Sequence, residues 1–509
     1  MKRTFFALLL LVTALVSLSN AQAIKQITNN SADDDNPQIN DNGYIVWSGR
    51  EGADYEIFLY DGLNTTKLTD NALGDHSPQI NNSGYVVWQG SDGNDQEIFL
   101  YDGQKTTQIT NNAYQDNSPQ INDNGYIVWN GFNNAESEIF LYDGLKTAEI
   151  TNNAYEDGNP QINNNGYVVW HGFDGADFEI YLYDGLNTFQ ITDNAYDDFI
   201  PQINDNNHVV WVGYDGTDYE IYRYDGVNTT QITNNDFDDL NPQINNDGYV
   251  VWSGRPDGSD SEIFLYDGLT ITQLTNNAFD DLDPQINNSG YIVWSGSDGS
   301  DNEVFLTSAF SSVTLLSPTA EEILPSGSLH TIRWSGPLDA VKFKLKYSMD
   351  NGLTWKPLPS TRDFIQNTHY DWEVPKPVKN KKNCLIKVIG YKEDGAKVGV
   401  AKSSAPFTIE VLTITAPAIS EIVPQNAPYT ITCTAHGTAA TPDQVIVKYT
   451  LNNGKTWKTA QGTPDLGSSS FSWDVPTVAR EKNKAKVKVI LKASGVTVAK
   501  AVSGIFTVQ

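Results

Sequence analysis

One stretch of 41 residues is written seven times in this chain. Its marker, Pro-Gln-Ile-Asn, begins at Pro37, Pro78, Pro119, Pro160, Pro201, Pro242 and Pro284, in steps of 41 residues and a last step of 42. A unit of this length is one supersecondary element. It cannot bury its apolar face alone, so the copies must stack on one another. The chain can therefore fold as a closed ring of units or as an open solenoid.

The second unit predicts four short strands, at residues 78–81, 85–89, 97–101 and 106–110. Asn82-Ser83-Gly84 and Asp102-Gly103 are turn sequences, and residues 91–95 form a Gly/Asp loop. The second strand reads Tyr-Val-Val-Trp or a close variant in every copy, apolar on both faces, as a strand sandwiched between two neighbours must be. Four antiparallel strands every 41 residues fit a β-propeller blade. The ends decide between ring and solenoid. The seventh unit stops after its third strand, residues 303–306, and a lone Lys25-Gln26-Ile27-Thr28 matches the fourth strand of the other units. A ring closed by its own N-terminus explains both facts and leaves no open edge. The expected fold is all-β: a seven-bladed β-propeller over residues 24–311, followed by two sandwich domains.

The order of motifs is a proline-started inner strand, an acidic-Gly loop, a Glu-Ile-[Phe/Tyr] strand and a closing Leu-Thr or Ile-Thr. In this the units resemble TolB-like propeller repeats. The resemblance implies the fold. It leaves function open, because such repeats serve as scaffolds, peptide-binding modules and enzyme gates. TolB-like propellers often have six blades, whereas seven copies here predict seven.

Strand order sends the first-to-second and third-to-fourth connections to one face of the ring, where the turns are uniform. The other connections emerge on the opposite face, where the sequence varies. An Asp stands three residues before each marker proline: Asp34, Asp75, Asp116, Asp157, Asp198, Asp239 and Asp281. A second acid (Asp54, Asp95, Glu136, Asp177, Asp218, Asp260 or Asp301) precedes the third-strand Glu by two residues. No organic cofactor is expected. Calcium is the ion such oxygen ligands would take, with the seven Asp as the candidate metal ligands. The alternative is that Asp holds turns and Glu bonds across the blade. The same face carries rings: Tyr114, Tyr155, Tyr196, Phe237 and Phe279 in one loop set, and Phe132, Phe173 and Tyr214 in the other. Rings beside acids suit stacking on a sugar or cupping a cationic side chain, which makes these eight the candidate ligand-binding residues.

Catalysis needs residues that break the repeat. The outliers His76, His171, His208, Arg50, Arg223 and Arg255 come from different units, and no nucleophile elbow, zinc motif or P-loop is present. The expectation is that the chain is not an enzyme.

Composition changes at Val313, where lysine rises and Asn and Asp fall. Two similar segments follow, 312–411 and 412–509, each with alternating strands and a Trp-bearing hairpin, and each of immunoglobulin or fibronectin type III size. Ser348, Asp350, Gly352, Thr354 and Trp355 match the Asp-box of sialidases and related proteins, a hairpin that is usually structural. Cys384 and Cys433 lie at non-equivalent positions of different copies, so neither sandwich can form an internal bridge and both are expected as buried thiols.

The net charge is −30, and the acid is concentrated in the repeats. Such a module repels nucleic acid and anionic membrane and favours cations or basic partners. Lys2 and Arg3, an apolar run and Ala21-Gln22-Ala23 read as an export signal over residues 1–23. No later segment is apolar enough to insert in a membrane. The expectation is a secreted or cell-surface monomer that binds protein or glycan through its acidic, aromatic loop face. Two readings stay open beside it: an extracellular polysaccharide-active enzyme with its site at the propeller mouth, and a structural surface-layer component.

Overall fold

The computed structural model describes residues 23–132, 136–256, 258–358, 364–461 and 469–509, and every regular element among them is a β-strand. The expected export signal lies outside the described residues except for Ala23. Seven sheets of four antiparallel strands come first. In the second blade the strands are Asp75–Ile80, Val86–Ser91, Gln96–Tyr101 and Thr106–Gln108, in that order across the sheet.

The apolar second strand explains how blades stack. Successive side chains point to opposite faces of a strand. Val86 and Trp88 accordingly pack on Val46 and Ile57 of the blade before, while Val87 packs on Ile127 and Trp129 of the blade after. The pattern closes on itself, with Val293 and Val304 of the seventh blade against Ile45 and Trp47 of the first.

The ring is closed by its own N-terminal strand. Lys25–Gln26 is the outer strand of the seventh sheet, with Lys25 opposite Leu306 and Gln26 opposite Phe305. The N–H of Ile27 donates to the Val304 carbonyl at 2.8 Å, and the N–H of Val304 donates to Thr28 Oγ1 at 2.8 Å. Around the central channel, the seven marker asparagines form a ring. Nδ2 of Asn40, Asn81, Asn122, Asn163, Asn204, Asn245 and Asn287 each donates to the backbone carbonyl of the next, and Asn287 returns to Asn40, all at 2.8–3.2 Å. A solenoid could not make the last bond.

The inner strand starts three residues earlier than the marker proline suggests. A bulge between His76 and Gln79 shifts the register, and Ser77 takes φ 52°. Pro78, which has no N–H to give, sits in that bulge, where a ladder bond is missing anyway. The same left-handed residue recurs in every blade, even as the β-branched Ile200 at φ 50°.

Two β-sandwiches follow. In the first, a three-stranded sheet of Thr314–Ser317, Leu329–Ser335 and His369–Glu373 shares one core with a six-stranded sheet. The second repeats this arrangement around Trp473. Cys384 and Cys433 are buried free thiols. The Asp-box is a turn: Ser348 Oγ accepts the Gly352 N–H at 2.8 Å, and Asp350 Oδ1 accepts the Thr354 N–H at 2.9 Å.

Candidate functional site

The two faces of the propeller differ in what covers them. On the turn face, the residue after each marker asparagine forms a second ring: Asp41, Asn82, Asp123, Asn164, Asp205, Asn246 and Asn288. Each backbone N–H donates to the next side chain's Oδ1 at 2.7–2.8 Å. The first sandwich sits over this mouth. Arg333 Nη1 lies 3.5 Å from Asp41 Oδ2, and a cavity of about 280 Å³ between them is lined by Asp41, Asp123, Asp205, Ser317 and Arg333 among others. The loop face is the one left open to a ligand.

On that face the seven aspartates expected to hold metal have another task. Asp116 Oδ1 accepts from Trp129 Nε1 at 3.0 Å, and its Oδ2 accepts from Asn112 Nδ2 at 2.6 Å. The same two bonds fix Asp34, Asp75, Asp157, Asp198, Asp239 and Asp281. All seven are 1–4% exposed. The metal assignment to this set is therefore corrected: both oxygens are committed to the blade's own tryptophan and loop. Gly131 shows how tight the fit is, since a Cβ there would lie 2.2 Å from Asp116 Oδ1. Burial pushes the carboxyl up, to about 6 for Asp34, Asp75, Asp116 and Asp157 and to about 7 for Asp198 and Asp239, against the pull of their hydrogen bonds. The third-strand Glu anchors the loop from the other side: Glu97 Oε1 accepts the Asn112 N–H at 2.8 Å, and the other six blades repeat it.

The predicted rings fall into two groups. Tyr114, Phe132, Tyr155, Tyr196 and Phe279 are exposed, from 37% to 45%. Phe173, Tyr214 and Phe237 are half-buried. Phe237 stands apart, because it packs on Phe264 at 6.2 Å as part of the core between two blades. Its assignment as a ligand residue is corrected to core. Tyr155 and Tyr196 place their hydroxyls over Gly175 and Gly216 of the acidic loops, 3.0 Å and 3.3 Å from where a Cβ would stand.

The fourth and fifth blades bring rings together that the sequence reading had not joined. Tyr155 meets Phe173 at 5.7 Å, Phe173 meets Phe178 at 5.4 Å, and Phe178 meets Phe199 at 5.5 Å. The line continues from Phe199 to Tyr219 at 6.3 Å, to Tyr214 at 5.3 Å and to Tyr196 at 5.5 Å. His171 stands edge-on to Phe178 and Phe199, and burial pushes its ring down to about 4, so it is neutral at physiological pH. Phe178, Phe199, Tyr219 and His171 were missed as partners because they sit in strands. The available signal was the residue after the buried Asp, which is aromatic in the fifth unit alone among units that otherwise carry Asp, His, Asn, Gly or Leu there. Asp174, Asp177, Asp197, Asp215 and Asp218 belong to the same two blades' loops.

The other outliers scatter. His208 Nδ1 and Arg223 Nη2 are 2.9 Å apart, but at the ends of strands that border the turn face. His76 lies beside Tyr55 at 5.1 Å on the loop face of the first two blades.

No family model matches the chain, and no curated protein matches it. Solved structures do. The β-propeller domain of the Trilobed protease from Pyrococcus furiosus is 13% identical over 55% of this chain and 95% of that one, with a TM-score of 0.44. A Mycobacterium tuberculosis puromycin-hydrolyzing peptidase is 12% identical over 54% of this chain, with a TM-score of 0.45, and the match spans 50% of the peptidase's length. The expectation that the chain is not an enzyme is withdrawn on this finding. Propeller folds host many unrelated functions, so the fold gives no ground for setting catalysis aside.

Proposed function

We propose that this is an exported binding protein whose loop face takes a protein partner through the aromatic sector of the fourth and fifth blades. The supporting observation is the unbroken line of rings from Tyr155 to Tyr196, bordered by loop carboxylates. Rings flanked by acids attract lysine and arginine side chains, by cation–π contact above the ring and by charge at its edge. The net charge of −30 steers basic partners to the same region. A glycan is the second reading, favoured by the exposure of Tyr155 and Tyr196, at 43% and 45%, as stacking surfaces.

Within this reading the units are TolB-like repeats over 24–311, and the two sandwiches, 312–411 and 412–509, are immunoglobulin-like modules that space or orient the propeller at the cell surface. Residues 1–23 serve as the export signal. The test is a binding screen of the full protein against basic peptides, cell-surface proteins and a glycan array, repeated with Phe199→Ala and Tyr155→Ala. Loss of the captured ligand in both variants, with an unchanged melting temperature for Tyr155→Ala, supports the sector. Binding that both variants retain moves the site elsewhere.

A further inference from the structure

In four blades the acidic loop draws three carboxylates together. One oxygen from each of Asp92, Asp95 and Glu97 lies within 4.8 Å of the others. The same holds for Asp174, Asp177 and Glu179, for Asp215, Asp218 and Glu220, and for Asp298, Asp301 and Glu303. The spacing is Asp-Gly-x-Asp-x-Glu each time. Acid alone proves little, because surface carboxylates cluster without consequence. Two further observations give these clusters a direction.

The first is a set of buried oxygens without partners. Glu97, Glu179, Glu220 and Glu303 are 0% exposed. One oxygen of each is used by a loop N–H. The other, Oε2, has no hydrogen-bond partner among the described residues, as in Glu56, Glu138 and Glu262 of the other three blades; only in these four does the glutamate come within 4.8 Å of two further loop carboxylates. Asp95 Oδ1 and both carboxylate oxygens of Asp301 are buried in the same condition. Burying a charge without compensation costs several kcal/mol, roughly, unless the charge is paired or metal-bound. Gln26, Gln108 and Gln231 on the outer strands of three of these blades also bury an amide Nε2 that has no acceptor. Amide oxygen and nitrogen are interchangeable by a half-turn of the group. Turned over, each glutamine presents an oxygen where its unpartnered Nε2 now lies.

The second observation is the first blade, which carries its own cation. Its loop reads Glu51-Gly52-Ala53-Asp54-Tyr55-Glu56, with Glu51 in the place of Asp92. Its outer strand has Lys67 opposite Phe58, where the second blade has Gln108 opposite Phe99. The Lys67 ammonium forms an ion pair with Glu51 and stands 4.0 Å from Glu56 Oε1 and 2.7 Å from Asp70 Oδ1. A blade with lysine at this position fills the cluster with a tethered positive charge. The four blades above have glutamine there, and three carboxylates facing one another.

We propose that the second, fourth, fifth and seventh blades each bind one calcium ion at the Asp-Gly-x-Asp-x-Glu loop, in the place that the lysine ammonium takes in the first blade. All ligands are oxygens, from carboxylates, the outer-strand amide and water on the exposed side. That suits the hard, geometrically tolerant calcium ion better than magnesium, which demands a near-ideal octahedron. The first aspartate is prepared for this. Asp92 Oδ1 holds the turn by accepting the Asn94 N–H at 2.8 Å, and Gly93 takes φ 101° to let the loop curl around. The sixth blade has the same letters, with Asp257 outside the described residues. A proton on one carboxyl is the competing way to relieve the cluster.

The test is calorimetric titration of calcium into chelator-stripped full-length protein, with the melting temperature followed in parallel. Wild type is expected to take up several calcium ions at micromolar to millimolar concentration and to melt higher when loaded. The loop variants Asp92→Asn, Asp174→Asn, Asp215→Asn and Asp298→Asn keep the oxygen that holds the turn. Each is expected to lower the stoichiometry by one, and the quadruple variant by four. Lys67→Gln is expected to raise it by one, because it opens the first-blade cluster. This gain cannot come from misfolding. No uptake at millimolar calcium, or a stoichiometry that neither the Asp→Asn variants nor Lys67→Gln changes, overturns the proposal and assigns the clusters to shared protons.

Discussion

The two faces of the propeller are made by the same repeat and have been treated differently. On the turn face every blade does the same thing. Two rings of hydrogen bonds run through all seven copies, and the first sandwich sits on the mouth they form. On the loop face the buried frame is just as regular, with its Asp–Trp–Asn set in each blade, but the outer layer changes from blade to blade. The first blade has a lysine among its acids, and the fourth and fifth carry the line of rings. Symmetry is retained where the ring must close and relaxed where nothing depends on closure. The variable layer is therefore where a partner can be recognised.

That comparison is broken most severely at the seam. Removing residues 24–30 takes away the outer strand of the seventh blade, the Thr28 oxygen that accepts the Val304 N–H, and the Asn30 N–H that anchors Glu303. It leaves a buried carboxylate and an open strand edge. The expected result is loss of about 5 kcal/mol or more, a single cooperative transition moved to much lower temperature, and a gain in aggregation. A small shift with only local fraying, seen by hydrogen exchange, would show that the ring does not depend on its seam.

The contrast between frame and outer layer comes next. Asp198→Ala strands Trp211 Nε1 and Asn194 Nδ2, both of which donate to that carboxylate. Each orphaned buried donor costs about 1–3 kcal/mol. Asp197→Ala, one residue earlier, removes a carboxylate that accepts the part-buried N–H of Phe178 at 3.0 Å, and is expected to cost about 1 kcal/mol or less. Equal losses in urea titrations of the two variants would erase the distinction between a fixed frame and a free layer.

The frame also has a pH signature of unusual sign. A carboxyl held at about 6 or 7 in the fold, and near 3.8 when unfolded, binds its proton more tightly in the native state. Its contribution is complete below the unfolded value and is lost as pH rises through the folded one. Asp61, Asp102, Asp143, Asp184, Asp225 and Asp267 in the exposed turns are shifted the other way by backbone N–H donors, so they stabilise above the ordinary value and fail only in strong acid. Between pH 5 and pH 8 the buried carboxyls lose their contribution, while the buried His171 ring, pushed down to about 4, gains a smaller one in the opposite direction. In chelator, the protein is expected to melt several degrees higher at pH 5 than at pH 8, and Asp198→Asn is expected to flatten part of that slope. A melting temperature that climbs with pH over this range would contradict the buried assignment.

Much of the ring was legible in the letters, for identifiable reasons. The doubly apolar Val-Val-Trp run states that each blade has two neighbours, and the split unit at Lys25 and Glu303 states that the ends meet. Three features were not legible. The inner strand begins before its proline because a residue such as Ile200 adopts a positive φ that no local preference announces. The metal-like spacing of Asp34 and its equivalents was ambiguous, because an aspartate that caps a tryptophan and one that binds an ion look alike until the indole is placed. The aromatic sector depends on Phe178, Phe199 and Tyr219 from separate strands, which only the stacking of two blades brings side by side.

The subtlest break lies in the second ring on the turn face. Around it acids and amides alternate, Asp41, Asn82, Asp123, Asn164, Asp205, Asn246, and then the pattern fails, because seven is odd and Asn246 must adjoin Asn288. The alternation has a plain electrostatic cause. Asn82 Nδ2 donates to Asp41 Oδ2 at 3.1 Å and to Asp123 Oδ2 at 2.9 Å, so each amide joins two carboxylates that would otherwise repel. Asn288 Nδ2 serves only Asp41, at 3.1 Å, and Arg333 stands by that same carboxylate. Asn82→Asp therefore places three carboxylates in a row and removes two donors, whereas Asn288→Asp adds one repulsion next to an arginine. The expected costs are about 2 kcal/mol and about 1 kcal/mol or less, both shrinking in high salt. Arg333→Gln should cost the Asn288→Asp background more than the wild type, since the compensating charge is then missing. Thermal denaturation of the four variants at low and high ionic strength measures this directly, and equal penalties for Asn82→Asp and Asn288→Asp would mean that the alternation of charges is decoration on a ring held by its backbone bonds alone.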